Sequence, residues 1–114
     1  MIDRKVQKTI DRLVENKMCD GELVLFCTTY NMTFGTKLIT VYGDNLFITP
    51  AYGKIEEASK IEKKDIWEFV IKKSFWTGNK LFIVLKSGAK QMYRFVHKSW
   101  IPMAEKIINE WFRK

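Results

Sequence analysis

The apolar positions of this chain change period twice. Over residues 2–17, Ile2, Val6, Ile10, Leu13 and Val14 recur every three or four positions with charged groups between them, which predicts an amphipathic helix. Cys19-Asp20-Gly21 ends it, with Gly21 available as a C-terminal stop. From Glu22 onward seven short strand-like runs follow. Residues 22–30 are almost continuously apolar, which predicts a first strand buried on both faces. Residues 36–42 alternate, and Gly43-Asp44-Asn45 is a hairpin turn leading into residues 46–49, which Pro50 ends. A short fourth strand is predicted over 58–61 and a fifth over 65–73, with Trp67, Phe69 and Ile71 on one face and Glu68 and Val70 on the other. Thr77-Gly78-Asn79 turns the chain into a last hairpin, 80–86 and 90–96, joined through Ser87-Gly88. Helical spacing returns over 99–112, with Ser99 as N-cap, Pro102 in the first turn, and Trp100, Ala104, Ile107, Ile108 and Trp111 on one face.

A helix, seven strands and a helix predict a mainly β, α+β fold. We expect a seven-stranded, partly open barrel of two orthogonal antiparallel sheets, capped by the C-terminal helix, with an extra helix at the N-terminus. The chain divides into an N-terminal amphipathic helix, 1–18, and a barrel domain, 22–114. The stripe Ile2, Val6, Ile10, Leu13 must be covered by the barrel wall or by a second copy, so residues 2–17 are a candidate homo-oligomer contact.

Composition narrows the class. The 114 residues suit one domain, and 46% hydrophobic with 14% aromatic content excludes a disordered chain. The longest apolar run, 23–27, falls far short of the ~20 residues that cross a bilayer. The charged start, Met1-Ile-Asp-Arg-Lys-Val-Gln-Lys, lacks the apolar core of a secretory signal, which implies a cytoplasmic protein with Cys19 and Cys27 as free thiols. The net charge of +7 is concentrated in residues 60–98, where Lys60, Lys63, Lys64, Lys72, Lys73 and Lys80 form a candidate basic patch. Such a patch attracts anionic lipid, nucleic acid or an acidic protein, or is simply a solvated sheet face. Arg94 is the only arginine in that stretch, whereas bidentate phosphate or base recognition favours arginine.

Little in the sequence points to catalysis. His97 is the sole histidine and has no cysteine or carboxylate at ligand spacing. Cys27 reads as a small core residue. Glu56, Glu57 and Glu62 lie among serine and lysine, which reads as solvation rather than paired-carboxylate chemistry. We expect no enzyme, cofactor or metal. The sharpest functional lead is Lys72-Lys73-Ser74-Phe75-Trp76-Thr77-Gly78-Asn79-Lys80, which sets two aromatics at a turn between lysines. Such a pair is core folded over the barrel end, an interface anchor, a membrane wedge or a stacking platform for single-stranded bases. A second lead is Tyr30, Met32 and Phe34 after the first strand, with Tyr52 after the third.

A four-then-three grouping of strands closed by a helix with a core tryptophan resembles a bacterial pleckstrin-homology-like (PH-like) domain. Lys64-Asp65-Ile66-Trp67-Glu68-Phe69 resembles that family's fifth strand. Leu81-Phe82-Ile83-Val84, Ser87-Gly88 and Tyr93-Arg94-Phe95 resemble its final hairpin, and residues 100–112 its helix. The likeness covers roughly residues 22–114. It implies that the loops after the first, third and sixth strands share one end, which puts Tyr30, Met32, Phe34 and Tyr52 together as a protein-binding rim. In phosphoinositide-binding members, basic residues at the end of the first strand and the start of the second hold phosphates. Here the first strand has no lysine or arginine, only Lys37 lies near, and Glu56 and Glu57 would repel the ligand. The leading expectation is a non-catalytic module that binds a protein partner or itself, with Phe75 and Trp76 as anchors. The alternatives are a peripheral membrane module using the basic 60–98 region, and a single-stranded nucleic-acid binder. The lysine-rich composition suits an accessory or anti-defence protein of a low-GC Gram-positive bacterium or its phage.

Overall fold

In a computed structural model, which describes residues 4–29, 35–76 and 78–114, seven antiparallel strands form one sheet flanked by two helices. The order is α1 (Arg4–Glu15), β1 (Val24–Thr29), β2 (Thr36–Tyr42), β3 (Asn45–Pro50), β4 (Ser59–Glu62), β5 (Ile66–Lys72), β6 (Lys80–Leu85), β7 (Lys90–Phe95) and α2 (Ile101–Ile107), which runs on into a π-helical turn, Ile108–Phe112. The strands lie in the order β4-β3-β2-β1-β7-β6-β5. The expected two groups of strands are therefore one continuous ladder: β1 pairs with β2 on one side and β7 on the other.

Local chemistry sets the turns. Tyr42 pairs with Asn45, leaving a two-residue link in which Gly43 takes φ +59°, the left-handed first position that a type II′ hairpin turn demands. The last hairpin is longer than Ser87-Gly88 alone. Residues 86–89 join its strands, the Gly88 N–H donates to the Leu85 carbonyl, and Gly88 sits at φ +98°. Before α2, the capping role falls to His97 rather than Ser99: its ring Nδ1 accepts from the Ser99 N–H at 3.1 Å.

One face of the sheet carries the main core. Leu25, Cys27, Ile39, Phe69 and Ile83 meet Ala104, Ile107, Ile108 and Trp111 of the C-terminal helix there. Trp111 is buried, as the helical stripe predicts, and its polar atoms are spoken for. The indole Nε1–H donates to the Gly43 carbonyl at 2.7 Å. The Lys63 ammonium donates to the Trp111 carbonyl at 3.1 Å and lies 5.2 Å from the ring centroid. The β2–β3 turn and the segment after β4 thus clamp the end of the helix.

The opposite face of β1 and β2 carries a second core. Val6, Ile10 and Leu13 of α1 are buried there against Val24, Leu38 and Ala51. The Thr9 hydroxyl donates to the Ala51 carbonyl at 3.1 Å, and the Thr40 hydroxyl to the Met18 carbonyl at 2.6 Å. Of the two covers considered for the helical stripe, the sheet of the same chain is the one observed. Val6, Ile10 and Leu13 are thereby withdrawn from any contact with a second copy. Ile2 lies outside the described residues. The cysteines fall on opposite faces, Cys27 in the first core and Cys19 in the second, both as buried free thiols.

One strand face differs from the alternation expected of it. The register of β5 against β6 shifts between Ile66 and Glu68. Such a bulge inserts one unpaired residue and reverses the alternation before it. Ile66 and Phe69 are buried, whereas Trp67, assigned by period two to the same face as Phe69, is 69% exposed.

Two outcomes check this architecture. Trp111→Ala should cost about 3–5 kcal/mol in urea unfolding, because a large buried ring is lost from a close-packed site. Deleting residues 1–18 should destabilise the sheet and produce binding of a hydrophobic dye, since Val24 and Leu38 lose their cover. A truncated protein as stable as the full chain would contradict the role given to α1.

Candidate functional site

The connection between β5 and β6 projects the least buried aromatics in the described chain. Phe75 is 93% exposed and Trp76 89%. They do not fold back as core. They touch each other edge to face, with ring centroids 5.4 Å apart and planes at 89°. Burying such surface would be favourable by a few kcal/mol, so its exposure is a cost that packing within the described chain does not relieve.

The strands beneath this tip set cations in a row. Lys72 of β5 pairs directly with Lys80 of β6, and Lys80 with Arg94 of β7. Residues directly opposite on one face have Cβ atoms about 5 Å apart, and like charges so placed repel. On the same face, Lys72 and Lys90 both approach the Phe82 ring, at 5.1 and 4.6 Å from its centroid. Phe82 itself is buried. Beyond β7, Lys98 shares a hollow with Arg94 and Asn79. Residues 69–104 contain seven lysines and arginines and no aspartate or glutamate.

The candidate basic residues do not form one patch. Lys63 is a structural latch on Trp111 and lies 3.8 Å from the Asp44 carboxylate. Lys64 lies 3.7 Å from Glu62. Lys60 is exposed on β4, at the far edge of the sheet order from β5. Lys72 and Lys80 stand under the aromatic tip, and Lys73 follows Lys72 toward it while sharing a groove with Glu105. The sequence marked Lys72, Lys73, Lys80, Phe75 and Trp76 together; it did not separate them from Lys60, Lys63 and Lys64, and it did not join them to Arg94 and Lys90.

The second lead is described only in part. Tyr30, Met32 and Phe34 lie outside the described residues. Tyr52 is 58% exposed and borders a groove of about 560 Å³ with Lys5, Lys8, Arg12, Asp11 and Glu15 of α1, a lining of mixed charge. Trp67, brought out by the bulge, is an exposed aromatic that sequence reasoning missed; no local signal marks a bulge whose cause is the pairing with β6.

The titratable groups show structural roles. Desolvation pushes the Cys27 thiol up to about 12 and raises the Tyr93 hydroxyl well above its ordinary value. The Tyr93 hydroxyl donates to Gln91 Oε1 at 2.8 Å. His97 is occupied as a cap. Among the described residues, no three His, Cys, Asp or Glu side chains gather as a metal site requires, and no helix is long and apolar enough to cross a membrane. Set against known protein families and curated proteins, the chain matches none.

Because Cys27 and Tyr93 ionise later in the folded state than in the unfolded chain, the stability they confer is fully present below pH ~8.5 and falls as pH rises toward 12. The urea midpoint should decline over that range, and Cys27→Ala should flatten the decline. At pH ~8 a thiol reagent should modify Cys27 only as fast as the protein opens. Immediate modification of both thiols would contradict their burial.

Proposed function

We propose that this chain is a non-catalytic, PH-like interaction module that docks through the Phe75–Trp76 tip and the cationic face beneath it. The observation that carries the reading is the exposure of two large adjacent aromatics on a short connection, held out by a paired β5–β6 ladder. Exposed aromatic anchors carried on a paired hairpin have the form of a binding hot spot. The PH-like part of the reading rests on four strands followed by three, on β1 linking the two groups, and on a C-terminal helix whose tryptophan plugs the core. In that reading the sheet curves into a partly open barrel, and the loops after β1, β3 and β6 share one end. α1 is an addition that stiffens the wall.

A protein partner is one class of ligand for such a tip. The cytoplasm of a Gram-positive bacterium, or of one infected by phage, is the setting in which to seek it. Tyr52 and Trp67 are further exposed aromatics that a protein could use.

The test separates docking from stability. Phe75→Ala/Trp76→Ala should leave the melting temperature within a few degrees, because neither ring packs in the core. Affinity capture from a lysate, read by mass spectrometry, should lose its specific proteins or lipids in the double variant. A melting temperature that falls by ten degrees or so would make the pair structural and remove the basis of this reading.

A further inference from the structure

We infer that the surface formed by the Phe75–Trp76 tip and the Lys72–Lys80–Arg94 row fits an anionic phospholipid bilayer, engaged by bulk charge and an aromatic wedge rather than by recognition of one headgroup. This rests on the docking reading above and names its partner.

Charge complementarity is the first argument. Lys72, Lys80 and Arg94 stand in register on neighbouring strands, with Lys90 two steps along the same face, beyond Met92, and Lys98 beside Arg94. Like charges set opposite each other repel across a sheet. A planar anionic surface relieves all of them at once. Lysine dominates, and an ammonium is a hydrated point charge suited to diffuse attraction, not to the bidentate contacts by which arginine reads phosphates and bases.

Geometry is the second. Phe75 and Trp76 stand at the end of the hairpin whose last paired residues are Lys72 and Lys80, so the rings lie outermost and the cations directly behind them. Aromatic rings sit at the depth where acyl chains meet headgroups, with cationic groups at the level of the phosphates. The two ring planes are perpendicular, at 89°. Successive bases of a single strand stack on exposed parallel faces, which this pair does not offer. The covered half of the same sheet face makes the third argument. α1 closes the surface over β1 and β2 with a second core, while the β5–β7 half carries cations in place of a covering helix.

The experiment is co-sedimentation of the full chain with phosphatidylcholine vesicles, with and without phosphatidylglycerol, and in parallel a polarisation assay with fluorescent oligo-dT. The wild type should sediment only with the phosphatidylglycerol vesicles and release as salt is raised. Each cation neutralised should weaken binding about fivefold, so Lys72→Gln/Lys80→Gln/Arg94→Gln should lose roughly a hundredfold. Phe75→Ala/Trp76→Ala should lose binding while melting like the wild type. Acyl-chain bromination should quench tryptophan fluorescence in the wild type and not in Trp76→Phe. No dependence on phosphatidylglycerol, binding unchanged in both multiple variants, or tighter binding to oligo-dT than to vesicles would each overturn the inference. If vesicles fail while lysate capture still depends on the tip, the membrane inference falls and the docking reading stands. If both fail with a stable double variant, both fall.

Discussion

The fold depends on β1 being buried on two sides and paired on two edges. Leu25 and Cys27 face the main core with α2, and Val24 faces the second core with α1. Its edges hold β2 and β7. A slip of one residue would exchange the two faces, placing Cys27 and Leu25 under α1 and Val24 in the main core. The chain thus specifies register most strongly where it is least polar. Every other strand is located by its distance from β1, and both helices are seated on residues that β1 presents.

The two cores impose different demands. The main core needs a stop for its plugging helix, and the chain supplies it with polar atoms. The Gly43 carbonyl accepts the Trp111 indole hydrogen, and the Lys63 ammonium donates to the Trp111 carbonyl. Trp111 therefore buries its ring without orphaning its N–H. The second core is smaller and is closed by an amphipathic helix, fixed by the Thr9 and Thr40 hydroxyls. It extends across β1 and β2 but leaves the outer side of β5–β7 to Lys72, Lys80, Arg94 and Lys90. That half needs no apolar cover, because the inner side of the same strands already contributes Phe69, Leu81 and Ile83 to the main core. The aromatic tip and the cation row can consequently change without disturbing either core.

Much of this was legible along the chain, for a definite reason. Period two and period 3.6 are local properties, so seven strands, two helices, the burial of Trp111 and the stripe Val6, Ile10, Leu13 follow from spacing alone. Phe75 and Trp76, between lysines at a glycine turn, stood out in the same way. Only the tertiary structure decided what lies across from what. The inner or outer fate of Trp67 turned on a bulge, and a bulge belongs to a pair of strands rather than to one. The stripe of α1 found its cover on the sheet, through contacts with Leu38 and Ala51 distant in sequence. Lys63 and Lys72 are the same residue in the same basic stretch, yet one holds the helix that closes the core and the other faces outward beneath the tip. Composition reports a charge; which charges stand together is fixed by register, and register is settled by burial on the faces of β1.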